Sequence, residues 1–424
     1  MKINYSYLFF IISIIVCFLS FYLRIDISGG ALPDLATHWK YIQKINTVGL
    51  LNVFDIELGD KSTFGLDSKL LNFPLHHFII SQIPFINKNL NGYLNLIFFI
   101  SLASPYLFYK CCSERFRDLN KKKLFFFSSI IYILPNFQAA AVWGNNHNTA
   151  IVFFLISLFY LIKLENSKTI NIFHIFLTYF FLFLASYTKQ FYIIFFPIFF
   201  LKIFTKYKFA IFFISIIICL PLSIPGAIFL YHNPGLFYNL SSSTTNFTSS
   251  IIIVSTIISF YLIPFFLNEV LQKKFFNKDM IKNKKFIISF IIIGVSIFFA
   301  SFNFVYVGGI GGGFFIKLNN LIFDDYYKYI ILSVILSLLV AYYSRKNLID
   351  IFITIILLIS FSSGAFIFQK YFEPMYLIVF TLLYDKKMIT NILNNKINVL
   401  YLYFLFYWFI YFVYSQKDNL VSLL

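Results

Sequence analysis

Charge is scarce in this chain, and acid scarcer still. Only 12% of its 424 residues are Asp, Glu, Lys or Arg, and 17 acids stand against 34 bases. A soluble domain carries roughly 25% charged residues, so this chain lacks the means to coat a water-facing surface of its own size. Cysteine is also sparse, at four positions (Cys17, Cys111, Cys112 and Cys219). None forms a CxxC or a Cys/His spacing that suits a metal. Cys111 and Cys112 sit in a segment read as a cytosolic loop, where thiols stay reduced. The glycine-rich stretch Gly308-Gly309-Ile310-Gly311-Gly312-Gly313 lacks the strand–helix context and the Lys-Ser/Thr of a phosphate-binding loop. No sustained repeat is visible, and no soluble segment of domain size.

What the chain has is apolar surface. Hydrophobic residues make up 60% and aromatics 22%, with a mean hydropathy of +0.81. The 61 Phe and 30 Tyr against 3 Trp look like the imprint of an AT-rich genome, so the Phe count says little about function. A membrane span needs about 20 predominantly apolar residues. Candidate runs lie near 5–23, 92–109, 124–142, 149–164, 170–187, 190–205, 209–229, 251–268, 286–306, 326–343, 347–368, 371–384 and 398–414. The expectation is an all-α, polytopic transmembrane helix bundle of about 11–13 spans, forming a single integral membrane domain over residues 1–424. Residues 5–23 read as its first span, because the run is long and no small-residue cleavage site follows.

The net charge of +17 would suggest nucleic acid in a soluble protein. Here the bases gather elsewhere. Lys2 and the segments 110–123, 163–168, 202–208, 272–285, 345–346 and 385–396 hold 23 of the 34 Lys and Arg, and alternate connections hold few. That is the bias of cytoplasmic loops facing anionic lipid, so the N-terminus is expected in the cytoplasm and no nucleic-acid partner is expected.

The opposite side is organised differently. The first external segment, residues 25–75, carries six of the 17 acids: Asp26, Asp34, Asp55, Glu57, Asp60 and Asp67. Within it, 34–48 reads as a short interfacial helix. Pro33 precedes it, Asp34 suits its first turn and Gly49 its end, with an apolar stripe of Leu35, Trp39, Ile42 and Ile45. Asp34 and His38, four residues apart, share a face expected to be separate from that stripe. Residues 73–86 are too short and Pro-bounded to span and read as a second interfacial or re-entrant helix.

Five polar clusters fall on this side: Asp34–Trp39, Asn72–His77, Trp143–Asn148, Thr188–Gln190 and Gln369–Pro374. A single polar cluster at a helix turn is usually a solvated connection, and Lys189 or Lys370 could simply snorkel to headgroups. Five on one side point to a shared external pocket, because ionisable groups at membrane depth are costly.

An acid after the first span, a surface helix and a long first external loop resemble the GT-C superfamily of membrane glycosyltransferases. Trp143-Gly144-Asn145 is similar to that superfamily's Trp-Gly-Gln turn. Ala185-Ser186-Tyr187-Thr188-Lys189-Gln190 is similar to its Thr-Lys-Gln turn before a Pro-containing helix (Pro197 here). Asn72-Phe73-Pro74-Leu75 resembles its Tyr-Pro-Pro-Leu stretch. The likeness covers residues 20–205 and, more faintly, 369–374. It departs where no Asp-Glu or Asp-x-Asp pair follows the first span and where Asn replaces Gln. The resemblance implies sugar transfer from a polyprenyl-phosphate donor to a glycolipid, glycan or protein acceptor on the non-cytoplasmic face. Such transfer needs a carboxylate to take a proton from the acceptor and cations to hold the departing phosphate. Asp34 is the candidate base and Asp26 the second. Arg24, His38, His76, His77, Trp143, Asn145, His147, Lys189, Gln190, Gln369, Lys370 and Glu373 are the candidate substrate-binding residues. No cofactor or metal is assigned, although Asp34 with His38 could hold a divalent ion. Short loops and composition favour a bacterial inner membrane, with membrane lipids as surroundings. Two rivals remain at this point. A polysaccharide polymerase or ligase typically has its large external loop late in the sequence, whereas here it comes first. A lipid-linked oligosaccharide flippase or transporter would place charge mid-span in two symmetric halves.

Overall fold

The structure is a computed structural model that describes residues 5–27, 31–49, 73–232, 247–272, 283–302, 304, 312–322, 327–345, 347–360, 367–395 and 397–416. Asp55, Glu57, Asp60, Asp67, Asn72 and residues 308–311 of the glycine-rich stretch lie outside the described residues. Every element among those described is helical. Seven helices are long and apolar enough to cross a membrane, and a bent pair adds an eighth. Four shorter apolar helices accompany them, at Tyr7–Tyr22, Ile172–Thr188, Ile331–Ser344 and Leu348–Ile359. This supports an integral membrane protein. The helices group into two compact units, residues 1–236 with 404–424, and 237–403.

The first unit opens with α1 (Tyr5–Tyr22), then α2 (Ala31–Val48), α3 (Leu75–Ser81) and α4 (Leu90–Arg115). Next come α5 (Lys121–Ser128), α6 (Pro135–Val142), α7 (Asn146–Asn166), α8 (Ile172–Thr188) and α9 (Phe195–His232). Helix α4 runs past Cys111 and Cys112, so both are buried in a helix rather than placed in a loop. The expected span at 124–142 is broken: its arms meet at 67° beside Pro135. Proline has no N–H to give and pushes Leu134 into an extended conformation (φ −77°, ψ 119°).

Helix α9 is assigned as continuous over 38 residues, which laid straight would reach about 57 Å, nearly twice a bilayer core. It doubles back. The rings of Phe200 and Phe212 lie 5.7 Å apart, whereas twelve residues of straight helix would separate them by about 18 Å. Near the bend, Lys206 Nζ donates to the carbonyls of Leu164 (2.8 Å) and Ser167 (2.7 Å). The expected spans 190–205 and 209–229 thus become the two arms of one hairpin, joined where a cytoplasmic loop was expected.

Helices α2 and α3 are too short or too polar to span. They cap one end of the unit through two apolar clusters. Leu35, Ile42, Ile80, Tyr93, Leu94 and Ile97 form the first, and Tyr41, Ile45 and Phe229 the second.

The second unit is built around Phe247–Leu271, which is buried along most of its length. Lys284–Ser301, Gly313–Ile322, Tyr327–Ser344 and Leu348–Ile359 accompany it. The run expected to span at 371–384 contains a helix of only eight residues, Met375–Leu382.

Candidate functional site

Helix α2 starts at Ala31, three residues before the expected start. Asp26 Oδ2 accepts from the backbone N–H groups of Ala31 (2.9 Å) and Leu32 (3.1 Å), which otherwise have no partner in a first helical turn. Asp26 is therefore a capping group. The buried face of α2 carries Ala31, Leu35, His38, Tyr41, Ile42 and Ile45, while Trp39 is only half-buried. His38 thus lies on the apolar face and not apart from it. The reason is that the cap supplies its polar partner: His38 Nδ1 is 2.8 Å from His77 Nε2, and the rings stack at 5.0 Å.

Asp34, in the first turn and half-buried, accepts at Oδ2 from Asn145 Nδ2 (3.1 Å). Asn145 is also the N-cap of α7, with its Oδ1 accepting from the His147 N–H (3.0 Å). One side chain therefore starts α7 and tethers the carboxylate that follows the first span. The turn before it is tightly specified. Gly144 has φ +67°, and a Cβ there would lie 2.6 Å from Tyr93 Cε1. Tyr93 Oη donates to the Gly144 carbonyl.

That last bond orients a chain of others. A carbonyl only accepts, so the Tyr93 proton points to Gly144 and Tyr93 Oη accepts from His76 Nε2–H (3.1 Å). In a neutral ring Nδ1 is then bare and accepts from Thr149 Oγ1–H (3.1 Å). Consistently, burial, helped by the Lys189 ammonium, pushes His76 down to about 3. Burial, with His38, His76 and Lys189, also holds His77 well below its ordinary value. Lys189 ends α8, and Asn146 Nδ2 donates to the neighbouring Thr188 carbonyl (3.0 Å). The His147 ring packs against Phe191, just after the half-buried Gln190. Arg24 donates from Nη1 to the Val142 carbonyl (3.2 Å) and lies over the Phe21 ring. Trp143 packs against the first apolar cluster.

Four polar clusters thus meet at one end of the first unit, and Arg24 joins them. Within this end, His38, His76, His77 and His147 are buried, so they act through the groups they hold, while Asp34, Lys189 and Arg24 keep some exposure. An apolar groove of about 350 Å³, lined by Leu32, Leu35, Ala36, Trp39 and Leu90, opens on α2. Asp34 and His38 engage different partners. Among the described residues no group of three or more His, Cys, Asp or Glu is placed to hold a metal ion.

The fifth cluster belongs to the second unit. Gln369 Oε1 accepts from the Phe314 N–H (2.9 Å). Glu373 Oε2 accepts from Tyr261 Oη (2.9 Å), near the middle of Phe247–Leu271. Both side chains are buried, Glu373 completely. Lys370, half-buried, places its ammonium 5.3 Å from the Phe368 ring centre.

No protein-family model, curated protein or solved structure matches this chain.

Tyr93 and Thr149 escaped the sequence reading. Each sits in an apolar run, and one Tyr among 30 carries no signal.

Proposed function

We propose that the chain is a membrane glycosyltransferase of the GT-C kind. It would move a sugar from a polyprenyl-phosphate carrier to a glycolipid, glycan or protein acceptor on the non-cytoplasmic side of a bacterial inner membrane. The observation that carries this reading is the Asp34–Asn145 hydrogen bond. The acid after the first span and the Trp-Gly-Asn turn, 111 residues apart in sequence, are two features of that resemblance, and a hydrogen bond joins them. Lys189 and Arg24 bring cations to the same end, and the groove on α2 offers apolar surface for a lipid-linked donor.

In this mechanism Asp34 takes the proton of the acceptor hydroxyl as its oxygen bonds to the anomeric carbon. The bond from that carbon to the phosphate oxygen breaks, and the departing polyprenyl phosphate keeps the electron pair. Lys189 and Arg24 stabilise the added charge, an effect that is strong where water is excluded. Asn145 holds one carboxylate oxygen in place. Substituting Asp34→Asn keeps the shape and removes the base. Transfer from a panel of polyprenyl-phosphate sugars in membranes should fall by about 100-fold or more, with thermal stability nearly unchanged. A folded, inserted Asp34→Asn protein with full transfer activity would overturn the assignment.

A further inference from the structure

The return arm of α9 contains two interior prolines, Pro221 and Pro225. Each removes one backbone hydrogen bond from the helix. Between them and the helix end, a foreign group enters the ladder. Gly226 N–H, whose in-helix acceptor would be the Leu222 carbonyl, donates to Tyr187 Oη (3.2 Å). Tyr187 Oη donates in turn to the Leu222 carbonyl. Side-chain insertion of this kind is a recognised cause of helix bending. The approach is close: a Cβ on Gly226 would lie 3.0 Å from Tyr187 Cε1.

What lies on either side of this joint gives it a role. Below and along it, Ile217, Leu220, Ile224 and Ile228 are 63%, 62%, 55% and 47% exposed, an apolar face suited to lipid. Beyond it, Phe229 is buried against the cap: its ring is 4.4 Å from Phe73, and it clusters with Tyr41 and Ile45 of α2. Tyr41 in turn packs on His77. Tyr187 itself contacts Phe73 at 5.4 Å and stands two residues before Lys189. The joint therefore links a lipid-facing helix, the cap that carries Asp34, and the turn that carries Lys189.

We infer that the outer end of α9, from Gly226 to His232, is a side gate between the membrane and the polar end, hinged at Pro221–Gly226 and latched by the Tyr187 hydroxyl. The inference rests on the reading above for what passes through, a substrate borne on a lipid. The prolines keep the hinge weak, and the single hydroxyl bridges both its carbonyl and its amide. Opening frees Phe229 from α2 and α3 while α7 and α8 stay in place.

The test measures distance and not transfer, so it stands or falls apart from the glycosyltransferase reading. Spin labels go on Ile193→Cys and Tyr231→Cys, which are 58% and 83% exposed, in a Cys219→Ser background in lipid nanodiscs. Tyr187→Phe removes the latch and keeps the ring. It should raise the longer-distance population about fivefold, the effect of one net hydrogen bond on a two-state equilibrium. Pro225→Ala restores a backbone donor to the helix and should shrink that population. An unchanged distribution in Tyr187→Phe overturns the latch, and an unchanged one in Pro225→Ala overturns the hinge. Should Tyr187→Phe fail to fold, Gly226→Ala displaces the same ring and should shift the population in the same direction; no shift overturns the latch.

Discussion

At one end of the first unit Asp34 meets Asn145 and His38 meets His77; at the other, Glu165 holds Arg115 at 3.5 Å and Lys202 at 2.8 Å. The basic end handles buried charge by compensation, with one carboxylate between two nearly buried cations and carbonyls taking Lys206. The polar end handles it by keeping imidazoles neutral and chaining them through hydroxyls to a carbonyl. Compensated charge is inert, because moving a proton or a ligand there would break an ion pair. At the polar end the carboxylate of Asp34 is half-exposed and meets the neutral amide of Asn145. The difference explains why chemistry is assigned to the end with fewer charges.

The largest expected effect lies at the inert end. Glu165→Gln takes the carboxylate away from Arg115 and Lys202, which are 6% and 8% exposed. Breaking a buried pair from one side costs about 3–5 kcal/mol. Thermal unfolding in detergent should show a loss of that order, with transfer per folded molecule unchanged. If Glu165→Gln stays stable and loses transfer instead, the assignment of roles to the two ends is reversed.

Gly144→Ala comes next. It places a methyl 2.6 Å from a rigid ring atom of Tyr93 at a backbone φ of +67°. Overpacking of this kind and a left-handed non-glycine residue together cost about 2–4 kcal/mol. The same unfolding measurement should show it. Because the strain falls on the turn that places Asn145, transfer per folded molecule should fall too, unlike in Glu165→Gln.

Acid sharpens the contrast further. His76 is held at about 3 in the fold against 6.5 in an unfolded chain. Between those values the unfolded chain binds a proton that the folded chain refuses. Stability is therefore full above pH 6.5 and is lost as pH falls, by about 2 kcal/mol at pH 5 from this residue alone. Hydrogen exchange on α2 and α3 should rise from pH 6.5 to 5, while exchange around Glu165 stays level. A His76→Gln protein should lose the share of this pH response that His76 contributes and keep the share of His77.

How much of this could be read from sequence depended on whether a signal was periodic or pairwise. The apolar runs, the basic connections and the existence of a helix at 34–48, which the structure extends back to Ala31, come from composition and period. The grouping of four polar clusters at one end followed from spacing along alternating helices. Pairwise facts did not. His38 looked like the polar face of a surface helix because its partner His77 lies 39 residues away. Gln369 and Glu373 read as substrate-binding members of an external cluster, because nothing local announces the Phe314 amide or the Tyr261 hydroxyl that donates to them. The break at Pro135 was legible in principle, whereas the insertion of Tyr187 into α9 was not.

The smallest expected effect decides between two roles for Asp26. The sequence allowed it as a second base, and the structure sets one of its oxygens on the first two amides of α2. A cap needs only an oxygen acceptor, so Asp26→Asn should keep both the helix and the transfer activity. Asp26→Ala removes the acceptor and should cost about 1 kcal/mol, seen as a lower unfolding temperature. It should also loosen the placement of Asp34, three residues after Ala31, and so raise KM more than it lowers kcat. A base would behave differently. Asp26→Asn would then lose transfer as severely as Asp34→Asn while α2 stayed fully protected from exchange, and the cap would have to be counted as secondary to chemistry at that position.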